Sequence, residues 1–471
     1  GRGLRVELPD PELAGAFAAA RAQVLLAVGS LSLADGPSAA GEPVAARDVA
    51  ALVRALDRTG LHDEAAAVLA TVGDAPGPDG RLGGDADDAS GAVLAAIGEH
   101  WRLARDAELA GALLEPVLAA VGAIERARTG ARRAPTATDG LVPAAGRGPG
   151  EVGATTARFV DSGWALRGVV EAAAVVAGLG HADAAAELGA TADRARADLD
   201  AALAAAARRA GGAIPAGPDR GAHGAVAASL ALVAPLDLLD PASPAVDATV
   251  AAVRERLLVD HRVLRTVGAT GLSPWLTTLW VRVLLRRGDA AAADALAALV
   301  GGAGASRWWP ELVHPRHGGG CAGTGASAVA AAGLVDAVRE LVVLERRAAV
   351  GPGVELWLSP VVPDPWLGSS WEVHDAPTAA GRLSYAVRWH GDRAALLWEL
   401  TPHEGGGPVR LRAPGLDPTW TSTEVRGEAL LAPMASHDAG TDRAGTDGAE
   451  EADGPAAPAA APPPDEPGSF S

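Results

Sequence analysis

Leu272 to Gly302 reads LSPWLTTLWVRVLLRRGDAAAADALAALVGG, and this stretch decides the fold. Apolar residues recur at helical spacing on both sides of Gly288, which predicts helices over about 272–287 and 289–302. A link that short turns the chain straight back, so the unit is an antiparallel helical hairpin. The same reading applied outward predicts helices near 11–28, 46–58, 61–72, 89–104, 107–127 and 159–178, then near 181–207, 222–233, 244–257 and 325–348. Thr59-Gly60 and Gly180 make further short links, whereas loops of about 10 to 30 residues precede the alternate helices. All long loops therefore emerge on one face of the array. About twelve helices arranged this way can close into a ring, an (α/α)6 toroid, assigned to residues 1–350.

Beyond Gly351-Pro352-Gly353 the period changes to alternation. Leu383, Tyr385, Val387 and Trp389 stand opposite Leu396, Trp398 and Leu400, a β hairpin turning at Gly391-Asp392. Flanking strands are expected at 354–359, 371–375, 408–412 and 419–425, giving a small antiparallel β domain over 351–434. From Ala435 to Ser471 the chain is Ala, Pro, Gly, Asp and Glu with almost no core former, and reads as a disordered tail.

Composition narrows the partners. The 40 basic residues, all Arg, stand against 58 acidic ones, and a formal charge of −18 repels a phosphate backbone. Nucleic acid is not an expected partner. Charges or Gly interrupt each apolar run before the roughly 20 residues a membrane helix needs, so no span is expected. The single Cys321 allows no internal disulfide and fits a reducing compartment, hence a cytoplasmic location. Nothing like a signal peptide opens the chain, and a start at Gly1 without Met leaves the N-terminus open. No oligomeric state can be read, and no cofactor is expected: no phosphate loop, dinucleotide fingerprint or nucleophile elbow stands out.

The long loops gather the unusual residues. They bring Asp35, the run Asp85 to Asp88, Arg158 and Asp161 with Trp164, Asp219-Arg220 with His223, and Ser273-Pro274-Trp275. The densest is RWWPELVHPRHGGGCAGTG, Arg307 to Gly325. Trp308 and Trp309 can stack on the apolar face of a sugar ring, while His314, Arg316 and His317 can bond to hydroxyls. Trp164, Asp219, Arg220 and Trp275 are placed with them as substrate-binding residues. Glu311 is the candidate catalytic acid or base. The competing readings are a solvated loop for Glu311, a packing plug for the two Trp, and helix capping for Asp85, Asp87 and Asp88.

The segment WWPELVHPRHGGGCAGTG followed by AVAAAGLVDAVRELVVLE resembles the last hairpin of six-hairpin glycosidases and their amylolytic or debranching relatives. DGLVPAAG before FVDSGWALRGVVEAA, GAIPAGPDR and PWLTTLWVRVLLRRGD agree with that resemblance over about residues 1–348. It implies a glycoside hydrolase-like protein acting on an oligosaccharide or related glycan, with the carboxylate of a Trp-Pro-Glu loop mapping onto Glu311. A two-carboxyl mechanism needs a partner for Glu311: Asp161, or one of Asp85, Asp87 and Asp88. The family pattern has an acidic Gly-Asp-Gly where this chain has Gly323-Thr324-Gly325. That departure motivates the rival expectation of a toroid that binds carbohydrate without cleaving it.

Two sharper readings are set aside. The Asp-x-Asp-Asp run at Asp85–Asp88 is like the proton donor of toroidal terpene cyclases, yet aromatics that would steady a carbocation make up only 3% of the chain. His314, His317 and Cys321 have a spacing that can hold zinc, but a lone Cys without a second thiol nearby more often packs as a small apolar residue, so no metal is assigned. Trp366, Trp371, Trp389 and Trp398 in the β domain are read as packing residues, the last two sharing the hairpin's apolar face.

Overall fold

The computed structural model describes residues 3–31, 45–74, 77, 79–84, 88–130, 139–143, 157–219, 224–347 and 353–433. The helices are α1 Pro11–Leu31, α2 Ala46–Arg58, α3 His62–Asp74, α4 Ala89–Ala104, α5 Ala107–Ala112 and α6 Leu114–Gly130. They continue with α7 Phe159–Gly178, α8 Ala182–Arg209, a 3-10 helix Gly224–Leu232, α9 Pro244–Arg256, α10 Pro274–Arg287, α11 Ala291–Gly301 and α12 Ala328–Val342. Inside, α2 packs on α4, α4 on α7, α7 on the 3-10 helix, that helix on α10, α10 on α12, and α12 back on α2. The ring is closed. Outside it, α1 lies against α12, α3 against α2, α6 against α4, α8 against α7, α9 against the 3-10 helix and α11 against α10. This is an (α/α)6 toroid in which one inner position is a 3-10 helix.

Burial separates the two layers as chemistry requires. Outer α8 hides one stripe, Leu188, Ala192, Ala195, Leu199, Leu203 and Ala206, the narrow face of an amphipathic helix. Inner α12 is buried without a break from Ala330 to Val342, as a helix enclosed on all sides must be. The tightest inner seam joins α4 to α7. A Cβ on Gly91 would lie 2.5 Å from the Trp164 carbonyl oxygen, and one on Gly168 would lie 2.6 Å from that of Gly91. Only glycine permits so close an approach of backbones.

Two helices differ from their sequence outlines. The stretch near 107–127 is divided into α5 and α6 at Leu113, because Pro116 has no N–H to donate to the turn before it and fits only in a first turn. The stretch near 325–348 is shorter at both ends. Ser327 caps α12 by accepting a hydrogen bond from the Ala330 N–H (3.2 Å), and after Val342 the backbone becomes extended. α1 is, by length and composition, apolar enough to cross a bilayer, contrary to the sequence reading, but here it packs along α12, α2 and α11.

The strands are β1 Arg5–Glu7; β2 Leu258–Val259, β3 Arg262–Arg265, β4 Gly271–Leu272, β5 Pro310–Val313 and β6 Gly320–Ala326; then β7 Val343–Arg347, β8 Val354–Leu358, β9 Trp371–Thr378, β10 Gly381–His390, β11 Arg393–Pro402, β12 Val409–Ala413, β13 Asp417–Ser422 and β14 Arg426–Leu430. β2 to β6 pair in order as one small sheet. One larger sheet runs β1-β9-β10-β11-β14 and the other β13-β12-β8-β7, antiparallel throughout except for β8 with β12. The hairpin turns at Gly391-Asp392 as expected, and Tyr385 pairs with Trp398 on its buried face. β1 and β7 come from the part of the chain assigned by sequence to the toroid. The Tyr385 hydroxyl donates to the Val342 carbonyl (2.7 Å) and lies 3.0 Å from Ser359 Oγ, tying β10 to the end of α12. Gly1–Met434 forms one compact unit; the expected tail, Ala435–Ser471, lies outside the described residues.

Candidate functional site

Because each inner element is entered through a long loop, the first turns of α2, α4, α7, α10 and α12 share one end of the ring. The loops 32–44, 85–87, 144–156 and 220–223 lie outside the described residues, and with them Asp35, Asp85, Asp87, Arg220 and His223. The site is legible from the helix starts and from the β5–β6 hairpin.

Glu311 lies in β5, where the pairing with β6 shifts register between Pro310 and Leu312. Such a bulge re-aims the side chain it carries. The Glu311 side chain is exposed and lies across Gly323, whose φ of 91° belongs to the region that glycine favours. The base of this hairpin is fixed from two sides. Ser327 N–H donates to the Trp309 carbonyl (2.7 Å), and Gln23 Nε2 donates to the Arg307 carbonyl (2.8 Å). Arg307 in turn grips α1, donating to the Glu12 carbonyl (2.8 Å) and pairing with its carboxylate (3.0 Å).

Facing this hairpin is a carboxylate that the sequence reading passed over. Asp48, in the first turn of α2, is partly buried, and its carboxyl is pushed up to about 6. Burial is the main cause; the charges of Glu311 and Asp88 push the same way, while Arg47 opposes them. Its side chain makes no hydrogen bond among the described residues. Asp48 and Glu311 thus sit within electrostatic reach of each other, one carboxyl raised by burial and one open to solvent.

The other two acids play a different part. Asp88 occupies the N-cap position of α4 but makes no capping bond; it forms an ion pair with Arg47 Nε (2.7 Å). The capping expectation does not hold for it. Asp161 is buried, accepts from Arg158 Nε (2.6 Å) and lies 3.7 Å from Arg47 Nη1. Burial pushes its carboxyl up to about 6 against the pull of both guanidinium groups. Arg47 therefore bridges two carboxylates beneath Asp48. Both Asp88 and Asp161 are engaged in fixing the first turns of α2, α4 and α7.

The proposed binding residues divide. Trp308 and Trp275 are exposed at 45% and 36%, free to offer an indole face. Trp309 is a correction: it is 1% exposed, its Nε1 donates to the Leu299 carbonyl of α11 (2.9 Å), and it plugs the gap between ring layers. Trp164 is a second correction. It is buried one turn and more into α7 and lines a cavity deeper in the ring, not the entry face. His314, Arg316 and His317 form the tip of the β5–β6 hairpin. His314 Nδ1 accepts the backbone N–H groups of Arg316 (3.2 Å) and His317 (3.3 Å), and the two imidazoles stack at 4.6 Å. Cys321 is exposed, with its thiol 3.9 Å from the Thr270 carbonyl. Asp219 is exposed, and no hydrogen bond or ion pair among the described residues joins it to the carboxylate group. The side chain of Thr324 lies outside the described residues.

No family model matches this chain, and no curated protein matches it in sequence. Solved structures do match. A glycosidase shares the fold with a TM-score of 0.52 at 20% identity, over 71% of this chain and 99% of that one. The α-L-rhamnosidase of Streptomyces avermitilis, solved with L-rhamnose, aligns over 87% of this chain with a TM-score of 0.58 at 16% identity. The fold is glycosidase-like. The GH78-family rhamnosidase of Bacillus sp. GL1 adds a TM-score of 0.59 at 12% identity over 88% of this chain. This chain spans 38% and 42% of the lengths of those two rhamnosidases. At such identities the likeness is one of fold, and the chemistry has to be argued from the residues.

Proposed function

We propose that the protein is a glycoside hydrolase acting on a small glycan, with Asp48 as the general acid and Glu311 as the second carboxylate of the pair. What supports this reading is the placement of Asp48, partly buried in the first turn of α2, close enough to the exposed Glu311 of the β5–β6 hairpin for the charge of Glu311 to push its carboxyl up. Glycosidic cleavage needs one carboxyl that keeps its proton and one that has lost it, flanking the same bond. Burial pushes the Asp48 carboxyl up, which suits it to the first part, and the exposed Glu311 is assigned the second. Trp308 and Trp275 offer aromatic faces of the kind on which sugars stack.

The reading is tested by incubating the purified protein with a panel of oligosaccharides and aryl glycosides and measuring released sugar. Turnover by the wild type that falls by a factor of about 10²–10⁴ in Asp48→Asn and in Glu311→Gln is the expected result. Full activity in either variant removes that residue from the mechanism. Binding of a glycan by calorimetry with no turnover of any panel member would instead establish a toroid that only binds.

A further inference from the structure

At the opposite end of the ring, where the inner helices finish, the lumen holds a cavity of about 220 Å³. Six guanidinium groups line it: Arg54 and Arg58 from α2, Arg102 from α4, Arg167 from α7, Arg286 from α10 and Arg346 from β7. Only three carboxylates share the wall, namely Glu99, Asp237 and Glu345. Behind the wall lie Arg282, paired with Asp336 and Glu340, Arg339, paired with Glu345, and Glu171, paired with Arg102 and Arg167. Among the described residues of both shells, with Glu355 opposite Arg346 on β8 included, eight fixed cations face seven carboxylates. An arginine does not relieve the imbalance by losing its proton.

The excess is concentrated on particular groups. Arg58, Arg102 and Arg286 stand in the last turns of their helices, where the helix dipole helps to hold a cation. Arg54, Arg167 and Arg346 have no such help. Arg346 lies 4.7 Å above the Trp357 ring, and no carboxylate lies within ion-pair distance of it among the described residues. Arg54 is buried, pairs with Glu99 (2.6 Å), and is nonetheless lowered to about 10, because burial and the neighbouring Arg58 and Arg282 work against that pair. The cavity is not sealed. The side chains of Asp237, Arg102 and Glu345 at its margin are 35%, 28% and 25% exposed.

We propose that this cavity is a second ligand site, which takes a small oxyanion, phosphate- or carboxylate-bearing, and is independent of the carboxylate pair at the other end of the ring. Several guanidinium forks converging on one small volume can give an oxyanion the paired N–H donors that it prefers. The ligand would replace the missing negative charge, so binding should stabilise the fold. Its bound oxygens would face Arg102, 28% exposed at the margin, and Arg346, which has no carboxylate partner among the described residues.

The test is thermal unfolding and calorimetry of the full chain titrated with inorganic phosphate, with citrate, and with sodium chloride at matched ionic strength. A saturable rise in melting temperature with phosphate or citrate but not with chloride is expected, weakened at least tenfold in affinity by Arg346→Gln and by Arg102→Gln. A response to phosphate alone assigns a phosphoryl ligand and a response to citrate alone a carboxylate. Among the described residues Arg346 pairs with no carboxylate, so its substitution leaves no acid there orphaned and should not itself unfold the protein. Equal responses to all three salts, no response, or an unchanged response in Arg346→Gln overturns the proposal. Glu311→Gln should respond like the wild type, so the outcome does not depend on whether glycans are cleaved.

Discussion

A methyl group placed on Gly323 would fall 2.7 Å from Glu311 Cγ and 2.9 Å from its Cδ. The floor on which the carboxylate rests is therefore bare backbone, and it can be nothing else without moving the acid. Gly323→Ala should displace Glu311 and also strain a residue at φ 91°, costing about 1–3 kcal/mol of stability. Activity should fall at least tenfold in a protein that still unfolds cooperatively. If the Ala variant keeps full turnover, Glu311 does not act from this position.

The raised Asp48 carboxyl gives the reaction a pH signature. A general acid works only while protonated, so kcat should be high below about 6 and decline as pH rises through that value. Arg47→Gln removes the nearest opposing cation, which should move the alkaline limb upward. A profile flat from pH 5 to 8 would exclude Asp48 as the proton donor.

Neighbouring tryptophans should behave oppositely. Trp309→Ala removes a fully buried indole and its bond to Leu299, and should cost about 3–5 kcal/mol in chemical denaturation. Trp308→Ala should leave stability within about 0.5 kcal/mol but weaken glycan binding. Substrate affinity unchanged by Trp308→Ala and Trp275→Ala together would show that neither ring holds sugar.

Glu340 is the hub of the ring's far end, accepting hydrogen bonds from Arg282 (2.7 Å), Arg286 (2.9 Å) and Arg58 (3.0 Å). These guanidinium groups hold its carboxyl well below the usual range, against burial. Glu340→Gln removes the carboxylate shared by Arg58, Arg282 and Arg286, leaving them only Glu99, Asp336 and Asp237, and should destabilise by about 3–5 kcal/mol, measurable by urea titration. The loss should lessen in phosphate buffer if an anion enters the adjoining cavity.

The helices were readable because each is long and regularly patterned, and because Gly60, Gly180 and Gly288 mark the short turns unmistakably. Glu311 was readable because Trp and Pro frame it in an unusual loop. Asp48 was not. In ARDVAALVRALDR it looks like one more polar residue on an amphipathic helix, and only closure of α12 on α2 brings it to the β5–β6 hairpin. Trp309 misled for the converse reason: two adjacent indoles read alike in sequence, though the backbone sends one outward and the other into α11. β1 is three residues long and pairs far along the chain, beyond the reach of any local pattern.

That strand has a consequence for synthesis. Arg5 to Glu7 are made before any helix of the toroid, yet their partners, Glu372 to His374, are made only after the last of them. A strand made ahead of the toroid is thus seated only after it, and synthesis must pass β9 before β1 finds its edge. A chain stalled short of β9 would carry β1 unpaired, a tether for misassembly or a mark by which quality control could recognise the unfinished product.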